Sequence, residues 1–123
     1  MIILDSSAIL AYLWAEPGWE AVQRALAEGA GCTVVNWSEV AGKVLSRDGD
    51  WAAAEAALKG QGLAIVPIET EDAVSAARLG SNHPALSLGD RLCLAVGLRA
   101  GTTIVTADRA WVAVSDAVAL IRA

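Results

Sequence analysis

The sequence predicts an α/β fold, a three-layer α/β/α sandwich around a central, mostly parallel five-stranded sheet. Three observations carry the prediction. Short apolar runs alternate with amphipathic stretches along the whole chain. Strands separated by helices of about ten or more residues imply a parallel sheet with helices on both faces. Apolar residue types make up 55% of the chain, above the ~45–50% of ordinary soluble domains. That excess suits either a sheet covered on both faces or an apolar surface kept for a partner. The 123 residues form one domain, 1–123, because domains typically run to roughly 100–150 residues.

Ile2-Ile3-Leu4 reads as the first buried strand. Ile9, Leu10, Leu13 and Trp14 then recur at helical spacing until Pro17-Gly18 interrupts them. A second helix places Trp19, Val22 and Leu26 on one face and Glu20, Gln23 and Arg24 on the other. Thr33-Val34-Val35 is expected to be the second strand. The next helix carries an apolar stripe of Trp37, Val40, Ala41, Val44 and Leu45 opposite Glu39, Lys43 and Arg47. An alanine-rich helix follows from about Asp50 to Lys59. Leu63 to Ile68 reads as a strand, and Pro67 near its end points to a sheet edge. A helix from Thr70 ends by Gly80. Leu88 to Ala100 is apolar nearly all round and is expected to be a central buried helix. Thr103 to Thr106 and Val118 to Ile121 complete the strands.

The longest stretch free of Asp, Glu, Lys and Arg is the eleven residues Leu79–Gly89. A membrane span needs about 20 mostly apolar residues. The start, Met1 to Asp5, lacks the basic character of a secretory signal, so a cytoplasmic protein is expected. Cys32 and Cys93 have no CxxC spacing and read as buried free thiols of a reducing compartment. A formal charge of −5 argues at first against a nucleic-acid partner. Setting aside four acids, Asp5, Glu39, Asp90 and Asp108, leaves ten acids against nine bases, and bound cations would offset the four.

Those four acids are the candidate site. In a parallel sheet, chemistry gathers where the carboxyl ends of strands meet helix N-termini. Asp5 follows the first strand and Asp108 the fourth, while Glu39 and Asp90 are expected in the first turns of their helices. Each acid alone also reads as a helix cap. Asn36-Trp37-Ser38-Glu39 and Ser87-Leu88-Gly89-Asp90 have the form of capping boxes, and Glu39 is spaced to pair with Lys43. Together they are harder to explain that way. Two bare carboxylates ~5 Å apart repel by roughly 3 kcal/mol at an effective dielectric of about 20, whereas a cap is worth ~1 kcal/mol. An all-oxygen cluster without Cys or His suits Mg²⁺ or Mn²⁺.

Asp5-Ser6-Ser7, Asn36-Trp37-Ser38-Glu39-Val40, Leu86-Ser87-Leu88-Gly89-Asp90-Arg91-Leu92 and Thr106-Ala107-Asp108-Arg109-Ala110-Trp111 occur in that order along the chain. Together they resemble the four acidic motifs of PIN-domain ribonucleases, specifically VapC-type toxins of bacterial toxin–antitoxin pairs. The resemblance covers the whole chain, and the acids show no departure from the pattern. It implies a five-stranded parallel sheet with the first strand in the middle. It also implies one or two Mg²⁺ or Mn²⁺ ions and RNA cleavage to a 5′-phosphate and a 3′-hydroxyl. The implied partners are a second copy of the chain, as a homodimer, and an antitoxin packed over the active-site side. On this reading Asp5 and Asp90 ligate metal directly, while Glu39 and Asp108 are further or water-mediated ligands. Ser6 and Thr106 hold neighbouring carboxylates by hydrogen bonds.

Other residues carry weaker signals. His83 in Ser81-Asn82-His83-Pro84 has no catalytic partner by pattern and reads as a loop residue. Neither a G-x-S-x-G elbow nor a P-loop is present. Trp37 is expected in the core, and Trp14 and Trp19 belong either to helix packing or to a partner groove. Arg47, Arg91 and Arg109 lie near the expected site edge, where they would meet RNA phosphates or pair with Asp48, Asp50 or Glu39. Aspartyl-phosphate chemistry would want a second Asp at position 7, which is Ser7. The non-enzymatic rival is a PIN-like RNA- or protein-binding module that has lost its activity.

Overall fold

A computed structural model describes all residues from 1 to 123. The elements, in chain order, are β1 (Ile2–Leu4), α1 (Ser6–Leu13), α2 (Trp19–Glu28), β2 (Ala30–Thr33), α3 (Val34–Ser46), α4 (Trp51–Gly60) and β3 (Ala64–Val66). They continue with α5 (Thr70–Asn82), α6 (Leu88–Ala100), β4 (Ile104–Thr106), a short 3₁₀ helix over Arg109–Ala113, and β5 (Val118–Leu120). The sheet is parallel throughout, in the order β3-β2-β1-β4-β5. The expected five-stranded α/β sandwich is the observed fold, with β1 at its centre.

Side chains of β1 alternate between the two faces, as strand geometry requires. Leu4 joins a core with Ala8, Ile9, Val22, Leu26, Val40, Val44 and Leu58, so α1 to α4 cover one face. Ile3 joins Cys93, Leu94, Val96, Ile104 and Trp111 on the other, beneath α6. Outside α6, α5 packs through Ala76 against Leu92 and Ala95. The α6 helix is buried from Leu92 to Gly97, as its apolar sequence predicts. Gly97 permits this seat, because a β-carbon there would collide with the side chain of Ile104. Asp72, 1% exposed, ties the outer pair together by accepting both Nε and an Nη of Arg99 at 2.7 and 2.9 Å.

The second strand departs from expectation. It runs over Ala30–Thr33, and Val34 and Val35 open α3 instead. Thr33 caps that helix by accepting the Asn36 N–H on its hydroxyl, at 3.0 Å. A β-carbon at Gly31 would stand 2.7 Å from the Met1 sulfur and 2.9 Å from Val66 Cγ2, so small residues are needed where β2 threads the sheet. The third strand is shorter than expected and ends before Pro67; β3 is an edge strand, as that proline indicated.

Trp37 is half-buried rather than core, with its ring edge-on to Trp51 at 4.9 Å. Arg47 stacks 3.8 Å above the ring of half-buried Trp14 and makes no ion pair with Asp48 or Asp50. His83 ends α5, donating its backbone N–H to Leu79. Both cysteines are free and buried. No helix is long and apolar enough to cross a membrane.

Candidate active site

Asp5 stands at the carboxyl end of the central strand, 4% exposed. Its place follows from the pairing of β1 with β4: Leu4 lies beside Val105, and the Asp5 N–H donates to the Val105 carbonyl at 3.0 Å. Three donors hold the carboxylate, fewer than its acceptor sites. Oδ1 accepts the Ala8 N–H at 2.8 Å, which makes Asp5 the cap of α1. Oδ2 accepts the Thr106 hydroxyl from the neighbouring strand at 2.6 Å. Ser7 Oγ lies 2.8 and 2.9 Å from the two oxygens, so its single proton is shared between them. The same Ser7 oxygen accepts the Ala107 N–H, and Thr106 Oγ1 accepts the Asp108 N–H, each at 3.0 Å.

A capping role therefore does not use up Asp5, since the same carboxylate also accepts from Ser7 and Thr106. Asp90 forms a reciprocal capping box with Ser87 at the start of α6. Asp108 caps the 3₁₀ helix by accepting the Ala110 N–H at 3.0 Å and is exposed. Glu39 differs from expectation. Because α3 begins at Val34, Glu39 falls in the second turn and caps nothing. Its Oε1 accepts instead from the Asn36 side-chain amide and from Ser6 Oγ, the latter at 3.2 Å. It forms no ion pair with Lys43.

The electrostatics of Asp5 and Asp72 run in opposite directions. Asp72 is buried against Arg99, whose hydrogen bonds hold its carboxyl below the usual range. Asp5 has no basic partner, and burial pushes its carboxyl up to about 6. Hydrogen bonds from Thr106, Ala8 and Ser7 oppose that rise, and the charge of Asp90 adds to it. Asp90 is raised as well, by burial first and then by the charges of Glu39 and Asp108. Asp90 is thus the acid that links the set, adding its charge to Asp5 and lying within reach of the charges of Glu39 and Asp108. Neither Lys nor Arg bridges any of them, since the chain's ion pairs are Lys59–Glu55 and Arg99–Asp72.

As they lie, no three of these acids close on a single point to form a ready-made cage. The donor set nevertheless fits a hard divalent cation: it is all oxygen, mutually repulsive and partly desolvated, and a cation relieves both penalties. The acids run from buried to exposed, with Asp5 inside, Glu39 and Asp90 half-buried and Asp108 at the surface. The two depressions of the surface, about 390 and 350 Å³, lie along α5 and α6 and include none of the four acids. Two contributors carry little signal in the sequence: nothing in the pattern sets Ser7 above its neighbour Ser6, and Asn36 reads only as part of a cap. Their spacings, two residues after Asp5 and three before Glu39, were the available signals.

Parallel strands delivering acids to one sheet edge occur in several folds, and the sequence profile decides among them. The PIN domain matches residues 2–117. The chain belongs to the PIN-domain family. In fold, this PIN domain is similar to a chain of a toxin–antitoxin complex from Klebsiella pneumoniae, with a TM-score of 0.79 and 14% identity over 98% of each chain. It is similar also to VapC20 of Mycobacterium tuberculosis, described as a toxin that cleaves the sarcin–ricin loop, with a TM-score of 0.74 and 16% identity over 94% of this chain and 95% of that one. A chain of the VapBC2 complex of Rickettsia felis, bound to a DNA fragment of its promoter, matches with a TM-score of 0.72 and 15% identity over 98% and 97%. No curated protein matches the chain in sequence. At these identities the structural likeness carries the fold.

Proposed function

We propose that this PIN domain is a metal-dependent endoribonuclease toxin that cleaves RNA phosphodiester bonds with activated water and is neutralised by a cognate antitoxin. The observation that carries the reading is Asp5, a buried carboxylate with no basic partner, raised to about 6 and facing the charge of Asp90. A carboxylate kept only to cap a helix has no need of that environment.

Asp5 and Asp90 would hold Mg²⁺ or Mn²⁺ directly, with Glu39 and Asp108 as further or water-mediated ligands. The bound ion supplies the acidity that makes water nucleophilic near neutral pH and offsets charge on a departing oxygen. Thr106 and Ser7 keep the Asp5 oxygens fixed, so that the carboxylate is oriented before any ligand arrives. Ser6 and Asn36 do the same for Glu39. On this reading Glu39 and Asp108 would orient water for in-line attack on phosphorus, leaving a 5′-phosphate and a 3′-hydroxyl. No side-chain nucleophile is required.

An acid-lined edge that reaches the surface at Asp108 suits a polymer backbone better than a small molecule that needs enclosure. The folds of the toxin–antitoxin relatives support an antitoxin partner, and a homodimer acting in the cytoplasm completes the reading. The test is direct. Protein freed of any bound partner should cut RNA with Mg²⁺ or Mn²⁺ and stop with EDTA. Asp5→Asn and Asp90→Asn should each abolish cutting while the circular dichroism spectrum stays that of the parent. Cutting by Asp5→Asn at the parent rate would remove the site assignment. A folded parent that neither binds Mn²⁺ nor cuts RNA would make the chain an inactive binding module.

A further inference from the structure

Glu39 is held from three elements at once. Asn36, one turn earlier on α3 and 1% exposed, donates its side-chain amide to Glu39 Oε1. Ser6, from the start of α1, donates to the same oxygen at 3.2 Å. The whole carboxyl group lies against Gly89 on α6: a β-carbon there would stand 2.8 Å from Oε2 and 3.1 Å from both the carboxyl carbon and Oε1.

Neither Asn36 nor Gly89 is explained by its local structure. Gly89 lies within α6 without a positive φ, so it needs none of glycine's conformational freedom, and alanine would favour the helix. Asn36 is buried with its carbonyl oxygen unpartnered, a cost that an apolar residue at the same place would avoid. What both residues accomplish is to settle where the Glu39 carboxylate lies.

We propose that Asn36 and Gly89 are positioning residues for Glu39, the first fixing one carboxylate oxygen by donation and the second leaving the space that the carboxyl group occupies. The inference rests on the metal-nuclease reading. Asn36 holds Glu39 along its own helix, and Gly89, one residue before Asp90, sets the gap between the two acids. A larger residue at position 89 pushes Glu39 away from its amide partner.

The test is Mn²⁺ binding, followed by the electron paramagnetic resonance of the free ion, without RNA. Glu39→Gln is the reference and should weaken binding. Asn36→Ala and Gly89→Ala should each weaken it about tenfold, the lower end for removing a group that orients a metal ligand. Asn36→Leu, which keeps the approximate volume, removes the donor and adds no charge, should match Asn36→Ala. Gly89→Ala should keep or raise the thermal midpoint, so its loss of affinity is not unfolding. If Asn36→Ala does not fold, Gly89→Ala alone decides. Combined with Glu39→Gln, either substitution should add no further loss, because both act through that carboxylate. Parent affinity in Asn36→Ala and Gly89→Ala, or losses that persist undiminished in the Glu39→Gln background, would overturn the positioning role while leaving the nuclease reading intact. Parent affinity and cleavage in Glu39→Gln itself would remove Glu39 from the site.

Discussion

The Thr106 hydroxyl reaches across from β4 to Asp5 Oδ2 at 2.6 Å and accepts the Asp108 N–H on the same oxygen. One threonine thereby couples the acid at the end of the central strand to the loop that carries another. It donates towards a carboxylate and accepts from the backbone, so its proton has a single satisfactory direction. Thr106→Val keeps the shape, removes the donor and leaves the Asp108 N–H without its acceptor. Stability should fall by about 1–3 kcal/mol, the range for an unpaired buried polar group. RNA cleavage should drop about 10–100-fold, as for other partners of metal ligands. Urea unfolding and initial rates measure the two effects, and parent behaviour in both would show the hydroxyl to be idle.

The two serines after Asp5 should not be equivalent. Ser7 contacts both Asp5 oxygens and accepts the Ala107 N–H, whereas Ser6 makes one longer bond to Glu39. Ser7→Ala is expected to lower cleavage and stability more than Ser6→Ala. The reverse order would mean that Glu39, not Asp5, is the more demanding of the two ligands.

Asp5 makes the metal-free protein sensitive to pH. Its carboxyl moves from 3.8 to about 6 on folding, so between those values the folded chain holds more protons than the unfolded one. Its stabilising contribution is complete below about 3.8 and lost as pH rises through about 6. At ~1.4 kcal/mol for each tenfold change in proton affinity, the loss is roughly 3 kcal/mol. Asp90 shifts in the same direction. Metal-free protein should therefore resist urea better near pH 5 than near pH 7, and Asp5→Asn should remove most of that difference. Saturating Mg²⁺ near pH 7 should restore the lost stability, since a ligand of the folded state alone stabilises by mass action. A flat profile in the parent would contradict the burial of an unpaired acid.

Asp72 has the opposite dependence. Its carboxyl is held below 3.8 by Arg99, so its contribution is present above that value and lost as pH falls through the lowered one. Arg99→Ala should destabilise the protein at neutral pH by leaving a buried charge unpaired. Mn²⁺ affinity should stay at the parent level, because the pair joins α5 to α6 away from the four acids. A change in Mn²⁺ affinity would reveal coupling between the outer helices and the site.

What the sequence revealed followed physical strength of signal. The apolar run of α6 and the uninterrupted Ile2-Ile3-Leu4 strand were legible because burial on all sides leaves no polar alternative. The edge position of β3 was legible from Pro67. The second strand was not, since Ala30-Gly31-Cys32 owes its place to tight threading in the sheet rather than to β-branched side chains. Val34 and Val35 carried the strand propensity and became helix once Thr33 capped it. That same shift moved Glu39 from the first turn to the second. Asp5, Asp90 and Asp108 stand out in the sequence because each follows a strand or opens a helix, whereas Glu39 sits a turn further along α3 than its capping-box spacing suggests. Ser7 and Asn36 were harder to see, for a hydroxyl or an amide gains a role only from what lies opposite it in space.

The bond from Thr106 to Asp5 joins residues 101 positions apart in the chain. The first acid is therefore translated about a hundred residues before the strand that completes its surroundings. Until β4 arrives to lie beside β1, a growing polypeptide has Asp5 but not the neighbours that orient it. Fragments ending before Ile104 should for that reason lack the oriented carboxylate, because neither the Val105 carbonyl nor the Thr106 hydroxyl is there to hold it.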